Sequence, residues 1–271
     1  NIELSSYDNG DFAISTEDGN FDVSGTTITI LSAGTYSLSG TWIGMIYGNL
    51  GDEDEVELDL NGVTLSNSSN SCIYFLNADE LKIKAESGTT NSITDKRAVE
   101  TTEDDSQGGG TIYAKCDTKL VGKGTLNVIG TYNNGVHVTK DLSIKNQTLT
   151  VTAPNNAIKG NDSITIESGT ITATSSAGDG IKTTDSDLSS KGNQRGNIEI
   201  SGGTITVNSY YDAISAAYDV VISGDNTVLN LATNQYRSSA TEKSAFGGPG
   251  GGGQGGGQGG GQGGAEYFMT D

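Results

Sequence analysis

The sequence predicts an all-β chain wound as a right-handed parallel β-helix, a solenoid of roughly 22–23 residues per coil, and three observations lead there. A short apolar step preceded by a small residue recurs as Asn134-Gly135-Val136-His137, Asn156-Ala157-Ile158-Lys159, Asp179-Gly180-Ile181-Lys182 and Asp212-Ala213-Ile214-Ser215, with the small residues 22, 23 and 33 apart. Thr125, Thr148, Thr170, Thr204 and Thr227 keep the same rhythm inside phrases such as Gly203-Thr204-Ile205-Thr206-Val207, at steps of 23, 22, 34 and 23. Thr, Ile and Val alternate along the chain with only two prolines, and no window holds a convincing 3.6-residue apolar period, so almost no helix is expected. Two markers agree on the period and on one enlarged step, which places a single insertion of about eleven residues near Thr183 to Arg195.

Each coil is an incomplete core by itself. Stacking the next coil about 4.8 Å away hydrogen-bonds every strand to its neighbour and completes the interior. Leucine-rich repeats share the repeat length, but their Leu-Asn pattern is absent. The right hand follows from the preferred crossover sense of parallel strands. Continuous repetition favours a single domain over residues 1–271.

Within it, residues 1–50 read as N-terminal cap strands, among them Thr27-Ile28-Thr29-Ile30 and Gly34-Thr35-Tyr36-Ser37-Leu38, with Trp42 packed in the cap. Coils are expected over 51–236, starting from Val56-Glu57-Leu58-Asp59-Leu60-Asn61-Gly62-Val63. Ser71-Cys72-Ile73-Tyr74 and Gly110-Thr111-Ile112-Tyr113 supply early copies of the marker. Between them, Asn91 to Gly109 reads as a long excursion carrying Lys96, Arg97 and Glu103-Asp104-Asp105. Asp79, Asp117, Asp141, Asp162 and Asp219 precede strands and suit turns, where a carboxylate accepts backbone N–H bonds. The Gly/Gln-rich stretch 247–264 is expected as an extended arm, with 265–271, including Tyr267-Phe268-Met269, capping the last coil.

Thirty-four acidic against fifteen basic residues give a net charge of -19. Such a chain repels phosphate backbones, so nucleic acid is not an expected partner, and it suits a cation-rich exterior or metal binding. No apolar run approaches the ~18–20 residues of a membrane span. The chain starts without a signal-like apolar region, so an exported protein would have lost its leader already. Cys72 and Cys116 do not make a disulfide framework and are expected as free, mostly buried thiols.

The column Asn134, Asn156, Asp179, Asp212 carries the first candidate chemistry, because stacked rungs bring the last two carboxylates within about 5 Å of one another. They repel unless one protonates or a cation lies between them. The insertion adds Asp185 and Asp187, and an oxygen-only set of Asp179, Asp185, Asp187 and Asp212 describes a hard-cation site that fits Ca²⁺ better than Mg²⁺ or Zn²⁺. The other reading is a solvated acidic corner. The adjacent column runs Tyr74, Tyr113, His137, Lys159, Lys182 and Ser215. With Ile158 and Ile181 facing inward, Lys159 and Lys182 face outward, one above the other, either paired with acids or ready to receive sugar carboxylates. Tyr132, Tyr210, Tyr211 and Tyr218 are candidates for stacking on pyranose rings or are plain surface strand residues. His137 is the only histidine, so no His-based triad can be assembled.

Val56-Glu57-Leu58-Asp59-Leu60-Asn61-Gly62-Val63, Ile112-Tyr113-Ala114-Lys115-Cys116-Asp117, Gly178-Asp179-Gly180-Ile181-Lys182 and the glycine-rich end resemble a bacterial family. It comprises the carbohydrate-binding β-helix domains related to polysaccharide lyases, found on cellulolytic clostridia. The resemblance covers the chain from about residue 25 onward. It implies a pectate-lyase-like solenoid that binds cellulose and acidic polysaccharides such as polygalacturonate or pectin, with bound calcium near Asp179 and the acidic insertion.

The function expected is therefore a non-catalytic, extracellular or cell-surface binder of plant cell-wall polysaccharide, with calcium as cofactor. Tyr113, His137, Lys159, Lys182, Tyr210 and Tyr211 are its expected ligand-binding residues, and no catalytic residue is assigned. The alternative is a calcium-dependent pectate lyase acting by β-elimination, for which Lys182 is the candidate base. A structural cell-surface protein without a sugar ligand is the third reading.

Overall fold

A computed structural model describes residues 5–99 and 109–234. The expected arm at 247–264, the segment 265–271 and the run Glu103-Asp104-Asp105 lie outside these residues. The described residues are all-β and mostly parallel, without helix, in one sheet of 16 strands and another of nine. No helix among them is long and apolar enough to cross a membrane.

The chain visits three rows of strands in a constant order. Gly110–Ala114, Asp117–Gly122 and Thr125–Ile129 are followed by Asn134–Val138, Asp141–Lys145 and Gln147–Ala153, and each strand pairs in parallel with its counterpart three strands on. In the first row Ile73, Ile112, Val136, Ile158, Ile181 and Ile214 are aligned, giving steps of 39, 24, 22, 23 and 33 residues. The step of 33 is the predicted insertion. The step of 39 contains the excursion, which starts later than the sequence suggested because Thr90–Asp95 is a strand of the third row.

Alternation in the second- and third-row strands buries one side chain in two, whereas first-row strands such as Gly110–Ala114 and Asn134–Val138 are buried on both faces. Inward columns such as Leu58, Ile83, Leu120, Ile144, Ile166 and Ile200 stack in register inside one core. At ~1.5–3 kcal/mol for each fully buried aliphatic side chain, these ladders dominate the favourable side of folding. The small residue ahead of the first-row apolar step has a steric origin where it is glycine. A Cβ on Gly135 would lie 2.2 Å from Val151 Cγ1, and one on Gly180 would lie 2.1 Å from Val207 Cγ1.

Glu55–Asn67 serves two rows by bending at Gly62, whose φ of 76° favours glycine. Asn91 Oδ1 accepts the N–H groups of Gly62 and Val63 there, at 2.9 and 2.8 Å. At the N-terminal end, Ser5–Asn9 pairs antiparallel with Phe12–Thr16, which pairs antiparallel with Gly34–Ile43, and Phe21–Ser24 pairs antiparallel with Thr27–Ile30; Trp42 is buried beneath the first two strands, 5.1 Å from Phe12 and 6.1 Å from Tyr7 between ring centroids. Parallel pairing begins with Thr27–Ile30 and Gly34–Ile43, ahead of residue 51, so the antiparallel cap is shorter than 1–50.

The outward faces of the second and third rows differ in chemistry. The second carries Glu57, Lys82 and Lys84, paired at 2.7 Å for Lys82–Glu57 and 2.6 Å for Lys84–Glu86. On the third, one column runs in register through Thr41, Thr64, Ser92, Asn127, Thr150, Thr172, Thr206 and Asn230. Its flanking columns include Thr125, Thr148, Thr170 and Thr204 on one side and Ile129, Thr152, Thr174 and Asn208 on the other. None of these positions is charged.

Candidate functional site

The Asn/Asp column forms a hydrogen-bonded ladder at the corner before the first row. Asn134 Nδ2 donates to Gly109 O at 2.7 Å, and Asn134 Oδ1 accepts Asn156 Nδ2 at 2.9 Å and Asn156 N–H at 3.2 Å. Asn156 Oδ1 accepts Asp179 N–H at 3.0 Å, and Asp179 Oδ1 accepts Asp212 N–H at 2.9 Å. Each rung's side chain thus satisfies the next rung's buried N–H, as buried backbone donors require. Asp179 Oδ2 also takes the Lys182 ammonium at 2.7 Å.

This ladder changes the meaning of the predicted cation site. Asp179 and Asp212 do meet, but through a carboxylate and a backbone N–H, and both Asp179 oxygens are engaged. Asp185 and Asp187 belong elsewhere. The insertion closes as a small loop through a Leu188–Gln194 bridge, and its Arg195 meets Asp187 Oδ1 at 3.2 Å and Asp162 Oδ2 at 3.1 Å. Among the described residues no three His, Cys, Asp or Glu side chains gather to hold a metal ion. Asp179, Asp185, Asp187 and Asp212 therefore do not gather into one calcium cage: the Asp212 N–H and Lys182 take both Asp179 oxygens, and Arg195 holds Asp187 within the insertion.

The insertion instead builds a cavity of about 220 Å³ against the second row, lined by Asp141, Asp162, Arg195, Asn197 and Glu199 among others. Burial pushes the Asp162 carboxyl up to about 6; Arg195 opposes this, and the nearby Asp185 and Asp141 reinforce it. The sequence shows Asp162 only as a turn residue, because its partners arrive through the folded insertion.

The ladder Tyr74, Tyr113, His137, Lys159, Lys182, Ser215 is in register as expected, and Tyr47 extends it by one rung. Its centre is not open to solvent: Tyr113 and His137 are each 1% exposed and Lys159 6%. Lys159 does not stand outward in water, and neither Tyr113 nor His137 presents a free ring. His137 Nε2 lies 3.1 Å from Asn161 Oδ1, and the Tyr113 and His137 rings are 5.1 Å apart. Tyr132 is buried with the Arg97 guanidinium 3.9 Å over its ring, and Arg97 in turn is held by the buried Asp95.

Of the exposed candidates, Tyr218 lies against the insertion, its N–H on Gly196 O, while Tyr210 and Tyr211 form a pair at the far corner. Tyr210 and Tyr211 are 39% and 44% exposed and pack edge to face with centroids 4.9 Å apart. Tyr211 N–H donates to Gly178 O at 3.0 Å, which seats the pair beside Asp179 and Lys182. One corner thus presents two accessible aromatic rings beside a partly exposed ammonium that the buried Asp179 holds in place, groups that pack on and hydrogen-bond a sugar.

A family model described as carbohydrate-binding domain-containing protein matches residues 24–253. The chain belongs to this carbohydrate-binding domain family. A carbohydrate-binding domain-containing protein of Acetivibrio thermocellus is 36% identical over 149 residues, 54% of this chain and 52% of the relative. The chain therefore spans about half the length of that relative. A solved structure described as the polysaccharide lyase-like protein from C. thermocellum, in a gadolinium derivative, aligns with a TM-score of 0.67 and 34% identity, covering 79% of this chain and 87% of its own.

Proposed function

We propose that this chain is a non-catalytic carbohydrate-binding protein that holds plant cell-wall polysaccharide, cellulose and/or polygalacturonate, outside the cell or at its surface. The scaffold in this reading is a right-handed, pectate-lyase-like parallel β-helix, supported by the constant order of the three rows and by the crossover preference of parallel strands. The observation that carries the function is the corner where Tyr210 and Tyr211 stand exposed beside the Lys182–Asp179 pair. The rings offer apolar faces to pyranose C–H groups, while the partly exposed Lys182 ammonium offers donors to hydroxyls.

The lyase alternative needs Lys182 as a base that withdraws the proton beside a uronate carboxylate. Its nitrogen is instead engaged by Asp179 at 2.7 Å, which favours binding without cleavage. Calcium enters the proposal on charge alone: a chain of net charge -19 is stabilised by any divalent cation that binds its folded form.

The test incubates the protein with polygalacturonate and with insoluble cellulose, in calcium or in chelator, following co-sedimentation and the ultraviolet absorbance of unsaturated product. Retention without product is expected. The double variant Tyr210→Ala/Tyr211→Ala should bind about 5- to 150-fold more weakly, from ~0.5–1.5 kcal/mol per ring. Product that calcium supports and Lys182→Ala removes would make the protein a lyase. A melting temperature equal in calcium and in chelator would remove calcium from the proposal.

A further inference from the structure

We infer that the flat, uncharged face of the third row is a docking surface for aligned, uncharged polysaccharide chains, and that it sets a preference for neutral glycans over uronates; this rests on the binding function proposed above. The central column holds only hydroxyl and amide side chains over eight rungs, from Thr41 to Asn230. Seven steps of about 4.8 Å make it about 34 Å long, and three outward positions per strand make it about 13 Å wide. In a chain with 34 acidic residues, no charge falls on this surface. The second-row face of the same sheet is by contrast covered with ion pairs.

Three properties of the face choose its occupant. Its area, roughly 440 Å² from those dimensions, is about half the ~800 Å² a partner contributes to a standard protein interface, so a thin polymer fits better than a folded protein. Its lack of charge matches a ligand without charge, and the net charge of -19 on the whole chain repels a polyuronate from it. Its hydroxyls are available: apart from Asn230 Nδ2 to Thr206 Oγ1 at 3.4 Å, no side chain of the central column bonds to another described residue.

They are also pre-set. β-Branched threonines packed on a pleated sheet have few rotamers to lose, so binding costs little side-chain entropy. Ile43 and Ile129, exposed in a flanking column, add apolar surface for sugar C–H faces. Repetition along the stack lets weak hydroxyl contacts act together on one extended chain.

The experiment compares the protein with Thr150→Glu/Thr172→Glu and Thr150→Val/Thr172→Val in depletion assays on microcrystalline cellulose and on insoluble polygalacturonate. Threonine and valine have similar shape and strand preference, so the valine pair carries the test even where the glutamate pair fails to fold, and circular dichroism reports folding of each. The expected result is retention of the wild type on cellulose, at least tenfold weaker retention of both variants, and no gain in their binding to polygalacturonate. Wild type and folded variants retained equally on cellulose would overturn the assignment of this face while leaving the binding function intact. Retention on polygalacturonate alone would do the same. Loss of wild-type retention on both materials would end the face and the function together.

Discussion

At the scale of single residues, burial decides which groups can react. Cys72 and Cys116 are both buried and unpaired, and burial pushes each thiol up to about 12. At pH 8 the native protein should leave a thiol-exchange reagent such as DTNB unreacted, and denaturant should release two thiols; rapid labelling of the folded protein would contradict this. Asp162 gives the pH response. Its carboxyl rises from 3.8 to about 6 in the fold, so between those values the folded chain binds more protons than the unfolded chain. Its contribution is complete below about pH 4 and is lost as pH rises through about 6. Melting temperature should fall across that window, and Asp162→Asn should flatten the fall; an unchanged slope would show that other carboxyls set it. Tyr113, His137 and Lys159 show the limit of sequence at this scale. Alternation correctly put them opposite the core, but facing away from a core is not the same as facing water.

At the scale of elements, the corner ladder is the feature that local pattern displays and local pattern misreads. The recurrence of Asn134, Asn156, Asp179 and Asp212 is plain in the sequence, and an acidic column there suggests a cation. The stacked N–H groups are the competing ligands, and they are present in every rung whether or not a metal is. Asn156→Ala removes the acceptor of the Asp179 N–H and the donor to Asn134, leaving a buried donor unsatisfied at a cost of about 1–3 kcal/mol. Asp179→Asn keeps an acceptor for the Asp212 N–H and loses only the pair with the partly exposed Lys182, about 0.2–1 kcal/mol. Urea unfolding should therefore rank Asn156→Ala as the more damaging change, and the reverse order would mean the ion pair outweighs the ladder. The insertion is a second case. Its place and length were legible from one enlarged step, whereas its closure onto Asp162 through Arg195 was not, because no periodicity governs a loop.

For the whole molecule, net charge and stacking oppose one another. Self-repulsion from a charge of -19 acts on a body held by in-register aliphatic ladders, and surface pairs such as Lys82–Glu57 offset it only in part. Raising NaCl from low concentration to about 0.15 M shortens the Debye length to ~8 Å, so melting temperature should rise with salt; a fall would mean the surface pairs dominate the repulsion. By itself the sequence determined the strand content, the period, the site of the insertion and the parallel register of Ile112, Val136, Ile158 and Ile181, because a repeated local pattern has one economical way to bury its alternating face. Only the tertiary structure decided which outward columns remain open, that Asp179 serves a backbone N–H and Lys182, and that Asp185 and Asp187 join Arg195 and Asp162 away from it. Those outcomes depend on groups distant in the chain competing for the same oxygen or covering the same face, and a one-dimensional period carries no record of that competition.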